Sequence, residues 1–170
     1  LNLNEKYNPL FESDCRYFII TGGRGSGKSY AVTVFLTLLT MSKGIRVLFT
    51  RYTMVSAHLS IIPEFLEKIG LLGFENIFSV NKAEVVNLGN KSDILFRGIK
   101  TSSGNQTASL KSLQGISTWV LDESEELIDE DIFDTIDLSI REKNIQNRII
   151  LVLNPVTKEH WIYDRFFESK

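Results

Sequence analysis

Residues 22–29 read Gly-Gly-Arg-Gly-Ser-Gly-Lys-Ser and follow directly on the apolar run Tyr17-Phe18-Ile19-Ile20. Gly22, Gly27, Lys28 and Ser29 occupy the fixed places of the pattern G-x-x-x-x-G-K-[ST]. Each residue type has a mechanical task. Glycines let the backbone curl so that successive N–H groups point into one concavity. A lysine in the Lys28 place meets β- and γ-phosphates as a point charge, and the Ser29 hydroxyl suits Mg²⁺. The apolar run Ala31-Val32-Thr33-Val34-Phe35-Leu36 predicts a helix whose positive end faces the loop. The predicted ligand is a nucleoside triphosphate, ATP with Mg²⁺. Gly22, Gly23, Arg24, Gly25, Ser26, Gly27, Lys28, Ser29 and Tyr30 are the expected contacts.

A second chemical signal lies at Trp119-Val120-Leu121-Asp122-Glu123, an apolar strand that ends in two acids. Asp122 in that place holds Mg²⁺ through water, with Ser29 as the direct ligand. Glu123, one residue on, can polarise an attacking water as general base. The competing reading is an acidic helix start, since Glu125 and Glu126 also suit a helix dipole. The third signal is Leu151-Val152-Leu153-Asn154-Pro155. A strand ending in a polar residue and proline puts Asn154 at the sheet edge where open α/β folds bind ligands, to sense the γ-phosphate or the water. An Asn-Pro turn explains the same residues equally well. Arg24, inside the loop, can fold over the phosphates or reach a neighbouring subunit. Arg51 ends a strand and is a phosphate or stacking candidate, or a solvated strand end.

These residues need a scaffold. Strands are predicted at 17–21, 45–50, 117–121 and 148–153, with a β-hairpin over 83–97 turning at Gly89-Asn90-Lys91. Helices are predicted over 28–41, apolar nearly all round, and over about 56–69, where Pro63 should kink or restart the helix. A further helix should carry Ile128, Ile132, Ile136 and Ile140 on one face. A short terminal helix is expected over 161–167. Residues 1–16 read as a polar N-terminal arm. Residues 100–115, with two lysines and no acid, read as one long flexible loop. Lys100 and Lys111 there are candidate nucleic-acid contacts. The alternation predicts an α/β P-loop NTPase, RecA-like, with a mainly parallel sheet flanked by helices and a hairpin. Asn81-Lys82-Ala83-Glu84 and Leu113-Gln114-Gly115 are weak echoes of other nucleotide motifs. His58 and His160 lack metal-ligand spacing and read as surface or packing residues.

The 170 residues suit one domain, with 43% hydrophobic and 24% charged residues typical of a globular chain. The net charge of −2 gives no bulk attraction for nucleic acid, so any such contact must be local or come from oligomerisation. A single cysteine, Cys15, rules out an internal disulfide framework and fits a reducing compartment. No apolar stretch approaches a membrane span, and the first residues lack a secretory pattern. The chain starts at Leu1 and reads as a processed or excised domain.

Taken in order, the motifs resemble the ATPase domain of the large terminase subunit of tailed bacteriophages. The resemblance rests on Gly22–Ser29, on Phe49-Thr50-Arg51 with Ser56 after it, and on Leu113-Gln114-Gly115-Ile116 before Trp119–Glu123. It continues through Leu153-Asn154-Pro155 and His160-Trp161-Ile162-Tyr163. It implies an ATP-driven motor that moves double-stranded viral DNA into a capsid. Lys28 and Ser29 then bind nucleotide and metal, Asp122 binds Mg²⁺, Glu123 activates water, and Asn154 belongs to the motif that couples hydrolysis to movement. Arg24 matches an arginine of the family's phosphate loop, acting in cis or in trans. The implied partners are the portal protein, the small terminase subunit and further copies in a ring, with the isolated domain a monomer. The implied place is the host-cell cytoplasm, docked transiently on the procapsid portal. Such subunits usually carry a C-terminal nuclease domain; residues 1–170 are expected to be the motor domain alone, without cutting activity. Other readings stay open: a helicase-like nucleic-acid ATPase, a P-loop kinase, or a binding-only switch.

Overall fold

In the computed structural model, residues 2–55 and 57–168 are described, the side chains at 57 and 58 excepted. Ser56 of the terminase resemblance and the His58 side chain lie outside them.

The elements follow the hydrophobic pattern. A 3₁₀ turn, Glu5–Tyr7, leads into α1 (Pro9–Glu12), then β1 (Tyr17–Thr21) and α2 (Lys28–Leu39). Next come β2 (Arg46–Arg51), α3 (Ala57–Leu71), β3 (Phe78–Val80), β4 (Glu84–Asn87) and β5 (Asp93–Gly98). A two-stranded ribbon, β6 (Lys100–Thr101) and β7 (Gly104–Asn105), precedes α4 (Thr107–Lys111) and β8 (Thr118–Leu121). A 3₁₀ turn at Ser124–Glu126, α5 (Glu130–Asp137), β9 (Arg148–Leu153) and α6 (Trp161–Phe166) complete the order.

The main sheet has the order β1-β9-β8-β2-β5-β4-β3. Strands β1, β9, β8, β2 and β5 are parallel, and β4 and β3 add antiparallel at one edge. Both faces are covered, so the central strands are apolar at successive positions. Val47, Phe49, Val120, Ile150 and Val152 pack with α2 and α3, through Val32, Phe35, Phe65 and Ile69. Leu48, Trp119, Leu121, Ile149 and Leu151 face the other way, onto Phe133, Ile136 and Ile162. The expected α/β architecture and hairpin are present, and α2 is buried along Ala31–Thr37.

Four local expectations need correction. Residues 2–16 are no loose arm: Tyr7 and Leu10 are buried in the core beside α2. Pro63 does not restart α3, which runs through it. Its ring lies on the exposed face, where the Leu59 carbonyl it leaves unpaired can meet water. Residues 100–115 are not one loop but a ribbon and α4, pinned by buried Ile99 and Leu110. The isoleucine stripe is cut short, because Asp129 caps α5 by accepting the Asp131 N–H. Ile128 is therefore left in the preceding segment, 81% exposed, and Phe133 takes a place in the core. Among the described residues no helix is long and apolar enough to cross a membrane.

Candidate functional site

Strand register assembles the site. Thr21 of β1 lies beside Leu153 of β9, Leu151 beside Leu121 of β8, and Leu121 beside Thr50 of β2. The residues that leave these strands at their carboxyl ends therefore stand in one row: the glycine loop, Asn154, Asp122 and Arg51. They border a cleft of about 380 Å³ lined by residues 24–30, Arg51, Asp122, Glu123, Glu125 and 152–154. Position at the strand ends is the general rule for ligands in open parallel sheets.

The loop is a curled cradle. Gly25 and Gly27 have φ of 74° and 83°, a region other residues enter at a cost. Gly27 stands at the N-terminus of α2 with no side chain capping the helix, so first-turn N–H groups face the cleft. The Lys28 ammonium lies on the carbonyl oxygens of Gly22 and Gly23, and also donates to Ser26 Oγ at 3.3 Å and Asn154 Oδ1 at 3.5 Å. All four partners are neutral oxygens. A phosphate oxygen adds the attraction of a full negative charge that these neutral oxygens lack, so Lys28 gains by exchanging them.

Gly22 and Gly23 thus act by holding Lys28 rather than by lining the cleft. Ser29 and Arg24 are exposed on its wall, and Arg24 makes no hydrogen bond or ion pair among the described residues. Tyr30 borders the cleft with the Lys68 ammonium 4.7 Å from its ring centre.

The acidic strand end departs from simple expectation. Arg51 was expected to face phosphate or solvent; its Nε instead donates to Asp122 Oδ2 at 2.8 Å. Its Nη1 donates to Ser60 Oγ at 3.0 Å, and its Nη2 lies 4.0 Å from Glu123 Oε1. Burial pushes the Asp122 carboxyl above the usual carboxylate range, with the Arg51 guanidinium opposing. Glu123 is also raised, by burial first, with Arg51 opposing and Asp122, Glu126 and Glu125 adding like charge. Glu123 takes φ 51° and ψ 47°, a left-handed conformation that a glutamate adopts only under strain of about 1–3 kcal/mol. That bend turns the chain into the Ser124–Glu126 turn rather than a helix start, and keeps both acids beside Arg51. The donor set suits Mg²⁺: a carboxylate and a hydroxyl on one cleft leave the remaining places to water and phosphate oxygens.

Asn154 is brought to the centre. Its Nδ2 donates to Glu125 Oε1 at 2.8 Å while its Oδ1 accepts from Lys28. No motif marks Glu125, which the sequence offers as a helix-dipole acid and, with Glu126, as a substitute base should Glu123 not serve. His160 packs its ring 5.6 Å from that of Trp161 and also carries two hydrogen bonds. Its Nδ1 accepts the Ile162 N–H and caps α6, so Nε2 carries the proton donated to the Glu125 carbonyl at 3.0 Å. The arm also reaches the loop: the Tyr7 hydroxyl and Lys6 ammonium both donate to the Ser26 carbonyl, at 2.9 and 3.2 Å. Nothing in the polar composition of residues 1–16 signals this.

Comparison with known proteins gives the same outline. Residues 14–170 match the family described as phage terminase large subunit. The large terminase of a thermophilic bacteriophage superposes with a TM-score of 0.76 at 12% identity, covering 98% of this chain and 42% of that one. The same protein in complex with ADP gives 0.74 at 12% identity, with 97% and 42% covered. The Thermus phage P74-26 large terminase ATPase domain gives 0.68 at 16% identity, with 99% and 73% covered. A chain of the bacteriophage Phi-29 genome packaging motor assembly gives 0.70 at 18% identity, with 100% and 52% covered. The chain thus spans less than half of the thermophilic phage protein. No curated protein sequence matches it.

Proposed function

Because the chain belongs to the phage terminase large-subunit family, we propose that it is the ATP-hydrolysing motor unit of a viral DNA-packaging machine. The observation that carries this reading is the convergence of Lys28, Asn154, Glu123 and the Arg51–Asp122 pair on one cleft at the sheet edge. The ADP complex of the thermophilic phage relative supports an adenine nucleotide as the ligand.

In this reading the loop amides and the α2 N-terminus hold the phosphates, and Lys28 leaves its carbonyl partners for the β- and γ-oxygens. Ser29 and Asp122 hold Mg²⁺, which supplies positive charge to the phosphates when bound. Glu123, already raised toward protonation, takes the proton of the attacking water. Asn154 sits where the γ-phosphate and the water meet. Arg24, exposed on the cleft wall, completes the charge either in its own site or in a neighbour's. Arg51 serves the site by holding Asp122 rather than by touching phosphate.

Hydrolysis by Glu123 favours an ATPase over a P-loop kinase, whose nucleophile is a second substrate. The motor acts on double-stranded DNA, in a ring of copies on the portal, with the small terminase subunit as a partner, in the host-cell cytoplasm. The isolated domain is a weakly active monomer, since neighbours complete each site. DNA cutting belongs to a separate domain, so supercoiled plasmid stays intact with Mg²⁺ or Mn²⁺. The deciding experiment measures ATP turnover with and without double-stranded DNA. Stimulated hydrolysis supports the motor. A chain that phosphorylates an acceptor, or binds ATP without turnover under any condition, refutes it.

A further inference from the structure

Beyond the cleft itself, the Ser124–Glu126 turn connects everything that the nucleotide would move to the last helix of the chain. At one end it is anchored: Ser124 Oγ donates to the Leu121 carbonyl at 2.6 Å and the Val152 carbonyl at 3.2 Å, pinning it to β8 and β9. Past this pivot, Glu125 points its carboxylate at Asn154 and its backbone carbonyl at His160. Two residues further, the Leu127 carbonyl accepts from Trp161 Nε1 at 2.7 Å. Consecutive side chains of the α6 entrance therefore grip the turn on both sides of Glu126.

We propose that this turn is a lever that reports the position of Lys28 to α6, with Glu125 and His160 as its positioning residues. The chemistry of each link sets its direction. A carboxylate only accepts, so Glu125 fixes the Asn154 amide with Nδ2 toward itself and Oδ1 toward Lys28. When Lys28 swings to phosphate, Asn154 Oδ1 loses that donor and the amide is free to turn toward another one. Glu125, joined to Asn154, follows. Its second oxygen, Oε2, is buried without a hydrogen-bonding partner among the described residues. An orphan buried acceptor is costly, so the carboxylate gains by shifting toward donors in the cleft. The Glu125 carbonyl then pulls on His160, whose other nitrogen caps α6. The lever rests on the reading of the cleft as a nucleotide site.

The test follows Trp161 fluorescence on adding a non-hydrolysable ATP analogue with Mg²⁺, while calorimetry measures binding of the same analogue. A Trp161→Phe variant identifies the part of the signal that Trp161 supplies. The parent responds on binding. Glu125→Ala binds the analogue at near-parent affinity but loses most of the Trp161 response, and its kcat falls about tenfold at unchanged KM. Glu125→Gln, whose amide oxygen still accepts from Asn154, keeps most of both. His160→Asn still caps α6 but is too short to reach the Glu125 carbonyl, and it loses the response as Glu125→Ala does. A full response in Glu125→Ala overturns the lever. So does a parent that binds the analogue with no response from Trp161. A parent that binds no analogue overturns the nucleotide reading and the lever with it.

Discussion

Arg51 and Asp122 form an ion pair at the carboxyl ends of adjacent strands, with Nε 2.8 Å from Oδ2 and side chains 12% and 10% exposed. Register alone sets it up, because Thr50 lies beside Leu121 and the next residue of each strand is the charged one. Burial favours the neutral form of the Asp122 carboxyl, and the Arg51 guanidinium opposes that shift. Removing one partner leaves the other charged and buried. Arg51→Ala is expected to lower stability by about 3 kcal/mol in urea unfolding. Adding Asp122→Asn to it should recover much of that loss. Equal stability of parent and Arg51→Ala would show that the pair is solvated.

Lys28→Ala removes the ammonium that the loop holds over the cleft. Loss of one charge-assisted phosphate contact should weaken binding of a non-hydrolysable ATP analogue by roughly 1.5–3 kcal/mol. Calorimetry reads this directly, and unchanged affinity would refute the phosphate role of the loop.

Glu123→Gln separates binding from chemistry. Gln keeps the shape but does not take up the water's proton, so turnover should fall about 10²–10⁴-fold with little change in affinity. In the parent, the raised Glu123 carboxyl predicts that activity falls off on acidification at a higher pH than an ordinary glutamate, whose pKa is about 4.3, would give. The same shift has a stability sign. The folded state binds this proton more tightly than the unfolded state, so the Glu123 contribution grows as pH falls through the raised value. At neutral pH, where the charge opposes folding, Glu123→Gln should raise the melting temperature. Turnover at the parent rate would move the base elsewhere, with Glu125 the nearest alternative.

Tyr7→Phe tests the grip of the N-terminal segment on the phosphate loop. It keeps the buried ring and removes only the bond to the Ser26 carbonyl, a net loss of about 0.5–1.5 kcal/mol. Nucleotide affinity should fall a few-fold, because the loop must then be ordered at the moment of binding. An affinity equal to that of the parent would confine Tyr7 to packing.

Local sequence was enough for the phosphate loop, the acidic strand end and the alternating α/β order. Each of these rests on short-range rules: a glycine spacing, an apolar run, a polar residue at a strand end. The same rules failed where a partner far along the chain decides the outcome. The spacing that joined Ile128 to Ile140 did not register that Asp129 starts the helix and that Phe133 fills the space under Trp119. Polar composition at residues 2–16 concealed Tyr7, whose burial depends on a helix more than twenty residues away. Arg51 looked like a phosphate ligand or a solvated end, and only the β2–β8 register turned it onto Asp122. Glu125, Asn154 and His160 meet because β9 inserts between β1 and β8, a strand order that no local pattern encodes. The sequence determined which groups are the candidates for the chemistry. Strand order and register, set by burial of both sheet faces, determined which of them touch.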